Sequence, residues 1–463
     1  MSEKNRIVLS LASHTNIGKT TLTRTLLKRD VGEVRDAAHV TEESEDFTLI
    51  HTESDELVIW DTPGFGNVAG LLKRLEQEGG ALGWLMHEVV DRAFNRALYS
   101  SLQAAKNVRA QSDVVLYLVN VREKPEDAGY VESELCLLQA LGKPVLKILN
   151  QVSQNNLGKK ELAQLETSWF KAFSHFDCLK QVIMLDAFTR TWRQELRLID
   201  LLAEILPQEK LDALKRLRAR YLLVQNNIIK DCGAHAAQTL WFAAHQTTSS
   251  QKEQDPKILF AAMVSELQAR LDAYMDILAA RYGIQAEGQA KLKDDVKEVT
   301  GLVSAKLSEK KTGLIAGAVA SAGAGLMADI LAGGLTFGGG ALLGFLGGYF
   351  GGFSYARALK MQGDKKVTWA RSALANLFQL LLSYHLLAAI HGRGKGKLAL
   401  ENPAPFLSQA ITEIWPEIDD GVTHLIKRAC ENENSDLEPA WLESFQDLFQ
   451  QTGSRVLEQL FTH

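Results

Sequence analysis

Cysteine is scarce in this chain, because its 463 residues include only four. The four stand far apart and have no metal-ligand spacing, which argues against a disulfide framework or a zinc site and favours a reducing cytosol. The formal net charge is only −5, so no basic surplus indicates nucleic-acid binding. The first apolar run, residues 7–11, is too short for a secretory signal. The cysteines are Cys136, Cys178, Cys232 and Cys430.

The most informative motif follows that apolar run, where residues 13–20 read SHTNIGKT. A strand, a tight turn and a helical pattern together predict a phosphate-binding loop, because backbone N–H groups and the positive end of the helix face an anion. Lys19 is expected to reach the β- and γ-phosphates, and Thr20 to bind Mg²⁺. Ser13 stands where the usual pattern has glycine. The expected nucleotide-binding residues of this loop are Ser13, Asn16, Ile17, Gly18, Lys19, Thr20 and Thr21.

A second phosphate motif, DTPG at residues 61–64, follows the apolar strand 57–60. Asp61 is expected to support Mg²⁺ through water, and the Gly64 N–H to meet the γ-phosphate. The polar stretch 30–45 has the length of a switch loop, in which Thr41 is the candidate for a hydroxyl that closes on Mg²⁺ and γ-phosphate. The expected catalytic residues are therefore Lys19, Thr41 and Gly64, and the expected Mg²⁺-binding residues are Thr20, Thr41 and Asp61.

The fold class follows from apolar runs that alternate with helical patterns. Residues 113–119 and 144–149 read as buried parallel strands, which predicts an α/β P-loop NTPase domain with a mostly parallel sheet and helices on both faces.

Residues 6 to about 190 resemble GTPases of the class that contains Era, TrmE and the septins. The whole chain is similar to a bacterial family that joins such a GTPase to a helical C-terminal domain of unassigned function. This closer resemblance is carried by residues 13–20, Asp36–Thr41, Leu149–Gln151 and Gly333–Gly338.

The resemblance implies a slow hydrolase. Asn16 occupies the position at which potassium-activated members of the class place an asparagine beside the phosphates, so it is a candidate K⁺ ligand; an ordinary turn residue is the alternative. Phe65 stands where many GTPases have the glutamine that orients the attacking water, and a phenyl ring cannot do so by hydrogen bonding. Turnover would then need help from a cation, from dimerisation or from a protein partner in trans.

The base-recognition motif departs from the family pattern. The family has Asn-Lys-x-Asp, whereas residues 150–153 read NQVS, so Asn150 remains and Ser153 replaces the carboxylate that reads guanine. A site without that carboxylate discriminates bases less strongly, which leaves ATP open as an alternative to GTP. The following motif is matched loosely by Asp186 and Ala187, and Asp186 is a candidate for the missing carboxylate.

A glycine-rich segment dominates the second half of the chain. Residues 313–356 contain one charge, Asp329, and divide at residues 333–336 into two apolar arms of a length that matches a bilayer core. Glycine recurs every fourth residue at 340, 344, 348 and 352, a spacing that allows close helix packing in lipid. Lysine and arginine flank both ends, which favours a hairpin inserted from the cytosolic side. A buried hairpin within a soluble helical domain is the alternative.

The predicted organisation is a G domain over 1–206, a helical region over 207–312, the Gly/Ala-rich hydrophobic hairpin over 313–356 and a C-terminal helical region over 357–463. The second part is thus expected to be an all-α domain that contains the hairpin. Residues 370–390 are a weaker candidate for a third membrane segment.

We expect a Mg²⁺-dependent GTP switch on the inner face of the cytoplasmic membrane, with GTP and GDP as ligands. The alternatives are a nucleotide-binding scaffold with little turnover and an NTPase that accepts ATP.

Overall fold

The computed structural model describes residues 5–28, 45–77, 95–151, 159–187, 191–249, 256–284, 292, 295–296, 359–362, 366–391, 404–432 and 434–461. The chain divides into two compact units, which are described separately. The first comprises Met1–Gln225, Ile390–Glu401 and His463, and the second Asn226–Ala389 and Asn402–Thr462. The glycine-rich segment 313–356 lies outside the described residues, so the predicted hairpin is not addressed by them.

The first unit is built on a six-stranded sheet in the order β2-β3-β1-β4-β5-β6. All neighbouring strands are parallel except β2, which pairs antiparallel with β3 at the edge. The strands are β1 (Asn5–Ser13), β2 (Glu45–His51), β3 (Asp55–Asp61), β4 (Val114–Asn120), β5 (Val145–Asn150) and β6 (Leu179–Met184). The helices are α1 (Lys19–Leu27), α2 (Val68–Gln77), α3 (Arg96–Gln111), α4 (Gly129–Ala140), α5 (Lys159–Phe173), α6 (Trp192–Ile205) and α7 (Gln208–His245).

Two hydrophobic clusters cover the two faces of this sheet. The central strands β4 and β5 are buried along almost their whole length, as parallel strands are when helices cover both faces. One cluster includes Tyr117, Leu135 and Trp169, and the other includes Leu9, Ile59 and Leu116. The edge strand β2 is only half-buried, so its sequence lacks the continuous apolar run of the central strands. The α/β fold class predicted from the sequence is confirmed.

The first part of α7 belongs to this unit. Leu214, Leu217 and Tyr221 lie in the cluster with β1 and β3, and basic side chains of the same turns bind carboxylates at the amino-terminal edge of the sheet. Arg216 binds both oxygens of Asp55, through Nε at 2.7 Å and Nη2 at 2.8 Å. These hydrogen bonds hold the pKa of the fully buried Asp55 well below its usual range. The predicted boundary at residue 206 therefore lies between two helices of the first unit.

Lys210 makes the equivalent contact one strand further along. Its Nζ lies 2.6 Å from both carboxylate oxygens of Asp113, and Asp113 also accepts a hydrogen bond from Val8 N at 2.8 Å. Asp113 immediately precedes β4. The start of α7 is therefore attached to the sheet at two points, at Asp55 through Arg216 and at Asp113 through Lys210. Two basic side chains of α7 thus form ion pairs inside the first unit.

The described part of the second unit is largely helical. Its helices are the second part of α7, α8 (Pro256–Tyr282), α9 (Arg371–Ala389), α10 (Ala404–Glu431) and α11 (Pro439–Phe461). Aromatic rings form much of its core, where Phe445 lies 5.4 Å from both Phe378 and Phe449 between ring centroids. The unit also contains a three-stranded antiparallel sheet that the sequence patterns did not predict: β7 (Thr247–Ser249), β8 (Leu359–Gln362) and β9 (Lys366–Trp369), in the order β7-β9-β8.

Among the described residues, α9 is the one helix with the length and mean hydropathy of a membrane span. Within its most apolar stretch, 83% of the residues are buried against the rest of the protein. Helices α8, α10 and α11 all pack on it. Its apolar composition is explained by this burial, so the weak prediction of a third membrane segment gains no support.

Lys147 is an unusual core residue of the first unit. It lies on β5, fully buried, and its Nζ has no hydrogen-bond acceptor among the described residues. The ammonium instead lies 3.7 Å from the centroid of the Phe173 ring and 4.9 Å from that of Trp169, so aromatic faces replace part of the lost hydration. Burial lowers the pKa of Lys147 from 10.5 to about 7.

We expect Lys147→Met to raise the free energy of unfolding at pH 7 by about 2–4 kcal/mol, because it removes a buried amine whose charged form loses its hydration on folding and has no carboxylate partner among the described residues. The lysine pKa is lower in the folded chain than in the unfolded chain, so the unfolded chain binds more protons between pH 7 and pH 10.5. Wild-type stability therefore rises with pH across this window, and the advantage of the variant shrinks. Urea unfolding at pH 7 and pH 9.5 measures this difference.

The control is Lys171→Met, which removes an exposed lysine from α5 and should change stability little at either pH. A Lys147→Met variant whose advantage stays constant between pH 7 and pH 9.5 would contradict the depressed pKa of Lys147.

Candidate functional site

The phosphate-binding loop connects β1 to α1 at the carboxyl-terminal edge of the sheet. Gly18 precedes the helix with φ 97°, a left-handed conformation that glycine adopts without strain. A Cβ on Gly18 would also lie 3.0 Å from Asn150 Nδ2, so both conformation and space require glycine here. Asn16 is exposed and has φ 65°, which asparagine tolerates better than most residues. Ile17 and Thr21 are buried and fix the loop to the core.

Lys19 is buried beneath this loop. Its Nζ donates a hydrogen bond to Ser13 Oγ at 3.0 Å, and the Ser13 hydroxyl donates to His14 O at 2.6 Å. The serine that replaces the usual glycine thus holds the lysine side chain within the loop. Burial lowers the pKa of Lys19, and the nearby Asp61 and Glu134 carboxylates act in the opposite direction.

Asp61 and Thr20 meet because β1 and β3 are parallel neighbours in register, with Leu11 opposite Asp61. Thr20 Oγ1 donates to Asp61 Oδ2 at 2.5 Å, while the buried Asp61 Oδ1 has no hydrogen-bond partner in the part of the chain that the structure describes. Burial raises the pKa of Asp61 to about 6. A carboxylate and a hydroxyl are hard oxygen ligands of the kind that Mg²⁺ prefers, so the residues present fit this ion.

The segment after Asp61 runs beside the phosphate-binding loop. Phe65 N donates to Ser13 O at 2.9 Å, which continues the pairing of the two strands. A Cβ on Gly64 would lie 2.9 Å from Thr15 Cα and 3.2 Å from Lys19 Nζ. Gly64 is therefore so close to the loop that no side chain fits between them. Phe65 is 1% exposed, and its ring belongs to the hydrophobic cluster that α2 and α3 help to form. The ring therefore does not face the solvent.

Asn150 connects the phosphate-binding loop to the loop after β6. Its Nδ2 donates to Ile17 O at 2.8 Å, and its Oδ1 accepts from Ala187 N at 2.9 Å. Thr25 Oγ1 donates to Ala187 O at 2.5 Å, which fixes the same loop to α1. Asp186 is buried beside these contacts. The structure thus brings together the expected residues of the two phosphate motifs and of the base site, whereas Thr41 and Ser153 lie outside the described residues.

The sequence motifs did not identify a polar network beside the loop. His14 Nδ1 lies 2.9 Å from Oε1 of the buried Glu134 on α4, and Tyr117 OH donates to Glu134 Oε2 at 2.7 Å. The Glu134 contact raises the pKa of His14, and burial raises that of Glu134. One signal was present in the sequence, because Glu134 shares a helix face with the apolar Val131, Leu135 and Leu138. A carboxylate on a buried face needs a polar partner.

Comparison with known families agrees with this geometry. Residues 9–151 match the family described as 50S ribosome-binding GTPase, and residues 175–440 match the family described as a domain of unknown function (DUF3482). A search of curated proteins gives no match. The second match covers more than half of the chain, which therefore belongs to the DUF3482 family. The chain joins a GTP-binding P-loop GTPase domain to that helical domain, as the sequence resemblance predicted.

Solved structures of GTPases are similar to part of the chain. A variant of Era from Aquifex aeolicus bound to GDP and AlF4⁻ has 17% identity and a TM-score of 0.33, and the match covers 44% of this chain and 58% of that one. Era in complex with MgGDPNP and nucleotides of 16S ribosomal RNA has 16% identity and a TM-score of 0.34, with the same coverage of 44% and 58%. Elongation factor SelB from Methanococcus maripaludis has 16% identity and a TM-score of 0.28, with 45% and 36% covered. The chain thus spans less than two thirds of each of these proteins.

We expect Gly64→Ala to weaken GTP binding by about tenfold or more, because the added Cβ would collide with backbone at Thr15 and displace Lys19 Nζ. Gly129→Ala is the matched control, since a Cβ at Gly129 meets nothing within 4 Å. Titration with a fluorescent GTP analogue and Mg²⁺ measures both affinities. Equal affinities in the two variants would show that the close approach of Gly64 to the loop does not matter for binding.

Proposed function

We propose that this chain is a Mg²⁺-dependent GTP switch that hydrolyses GTP slowly and couples its nucleotide state to the helical part of the chain. The observation that carries the proposal is the buried group formed by Lys19, Thr20 and Asp61 at the carboxyl-terminal edge of the sheet. The Lys19 ammonium and the Thr20 hydroxyl stand directly after a turn of the kind that binds anions, and Asp61 at the end of β3 adds a carboxylate whose Oδ1 has no hydrogen-bond partner among the described residues. The chemistry of this group suits a metal-bound triphosphate.

In this proposal each residue acts on the phosphates through charge or position. Lys19 lies at the base of the loop, where its ammonium can stabilise negative charge on the β- and γ-phosphates. Thr20 and Asp61 would hold Mg²⁺, which supplies positive charge to the phosphate oxygens. The N–H of Gly64 would report the γ-phosphate, and Thr41 would close the site from the switch loop. The reaction is transfer of the γ-phosphoryl group to water.

Slow turnover follows from the position of Phe65. Its ring is buried in the core, so the residue after Gly64 offers no side-chain hydrogen bond to an attacking water. Help would come from K⁺ bound near Asn16, from a second copy of the chain or from a protein partner. The same observation favours a second candidate function, in which the domain binds nucleotide as a scaffold and turns it over very little.

Base choice is the remaining part of the proposal. Asn150 holds the phosphate-binding loop against the loop after β6 through both ends of its amide, so its first role is to shape the site. A strong preference for GTP would then come from Asp186 or from backbone groups near it. Similar affinity for ATP would follow if Ser153 is all that replaces the family's carboxylate.

The proposal predicts that Lys19→Ala abolishes tight GTP binding, because it removes the only ammonium that the described part of the loop places beneath the phosphates. Fluorescent GTP and ATP analogues with Mg²⁺ measure affinity for the wild-type chain, with Lys19→Ala as the blank. Unchanged GTP affinity in Lys19→Ala would contradict the site assignment. Equal GTP and ATP affinity would replace the GTP switch with a less selective NTPase.

Phosphate release under multiple turnover then separates the enzyme from the scaffold. We expect faster release in K⁺ than in Na⁺, and Asn16→Gly should lose that difference while it keeps its rate in Na⁺. Glycine is the informative substitution, because it preserves the left-handed backbone at φ 65° and removes only the amide. A K⁺ effect that survives Asn16→Gly would exclude Asn16 as the cation ligand, and no release in either salt would favour the scaffold.

We further propose that residues 313–356 associate with the inner face of the cytoplasmic membrane. Support comes from the single charge in this segment, its two arms of bilayer length and its basic flanks. The full-length chain is expected to pellet with membranes and to resist carbonate extraction, whereas a chain without residues 313–356 should remain in the supernatant. Full-length protein that stays entirely in the supernatant would favour a buried hairpin.

A further inference from the structure

We propose that Ser101 is a positioning residue for the segment that senses the γ-phosphate. Its hydroxyl holds the backbone of Gly66 and Asn67, directly after Gly64, in place beside the phosphate-binding loop. The proposal rests on the GTP switch proposed above and identifies what keeps that switch segment in order. Ser101 lies on α3, outside both phosphate motifs, so no motif assigns it a role.

The Ser101 hydroxyl is fully used by hydrogen bonds. It accepts from Gly66 N at 3.0 Å and from Asn67 N at 2.9 Å, and it donates to Ala97 O at 3.0 Å. A serine hydroxyl offers one donor and two acceptor positions, so these three contacts satisfy it completely. The side chain is fully buried, and the last contact anchors it to its own helix. Ser101 is therefore a fixed acceptor that α3 presents to two consecutive amides.

The segment itself is held from two sides. Phe65 N donates to Ser13 O of the phosphate-binding loop at 2.9 Å, and the next two amides donate to Ser101. Asn67 Oδ1 then accepts from Gly70 N at 2.9 Å and begins α2. Gly64 directly precedes this double attachment in sequence, and a Cβ built on it would lie 3.2 Å from Lys19 Nζ. Loss of the Ser101 hydroxyl would leave two partly buried amides without their acceptor and would release one side of the segment.

The consequence differs between nucleotides. GTP has the γ-phosphate that the Gly64 N–H is proposed to meet, and GDP does not. Release of the segment should therefore weaken binding of a triphosphate and slow hydrolysis, while diphosphate binding depends on the phosphate-binding loop, α1 and the base site and does not use the Gly64 N–H. A residue that merely stabilised the fold would affect both nucleotides equally.

The test compares Ser101→Ala, Ser101→Thr and Ser100→Ala in the full-length chain. Ser100 is the matched control, because it is buried on the same helix and, within the described residues, its hydroxyl makes no hydrogen bond to the segment. Affinities for GDP and for the non-hydrolysable analogue GppNHp are measured with Mg²⁺, together with kcat for GTP. We expect Ser101→Ala to lower the GppNHp-to-GDP affinity ratio and kcat by about tenfold each, with GDP affinity changed less than twofold. Ser101→Thr, which keeps the hydroxyl, should stay near the wild type.

An unchanged ratio in Ser101→Ala, or equal losses for GDP and GppNHp, would overturn the role of Ser101. Wild-type chain that binds GppNHp no better than Lys19→Ala would instead contradict the proposed switch itself. If Ser101→Ala does not fold, hydrogen exchange of the wild-type peptide 64–70 decides the question. Its amides should exchange more slowly with GppNHp than with GDP, and equal exchange would overturn the proposal.

Discussion

The parallel ladder between β1 and β3 is the constraint on which the first unit depends. It runs in register from Asn5 opposite Asp55 to Leu11 opposite Asp61. At one end it places the Asp61 carboxylate beside Thr20, and at the other it brings Asp55 to Arg216 of α7. A slip of one residue would turn the alternating side chains to the opposite face and separate both pairs at once. The ladder thus fixes the site and the attachment of α7 together.

The polar groups of the site are costly for the fold. Lys19, Asp61 and Glu134 are all buried, and burial opposes the charged form of each. Within the described residues Asp61 Oδ1 accepts no hydrogen bond, although buried oxygen atoms normally accept one. Such departures from good packing are expected where a ligand completes the arrangement. Lys147 lies outside the motifs, and its buried ammonium also has no hydrogen-bond acceptor among the described residues. Aromatic rings compensate part of its lost hydration.

Local patterns predicted a large part of the first unit. The phosphate loop, DTPG and the buried strands were readable because each depends on neighbours in sequence or on a continuous apolar run. Ser101 and the pair of His14 and Glu134 could not be predicted as contacts, since they join residues that lie 34 to 120 positions apart. The sequence patterns did not predict the short sheet of the second unit, because strands of three or four residues are too short to show an alternating pattern. Thr41 and the hairpin 313–356 stay predictions.

The contact between Arg216 and Asp55 bears on how such a protein could arise by recombination. The two family matches end and begin at residues 151 and 175, which suggests a joint between modules in that interval. Arg216 lies beyond the joint by sequence, yet its guanidinium neutralises a buried carboxylate of the GTPase unit. A GTPase exchanged at the family border would lose that partner, together with Leu214 and Leu217 from its core. The GTPase unit is therefore completed by a helix of the region that the second family matches, so an exchange at the family border would leave the unit incomplete.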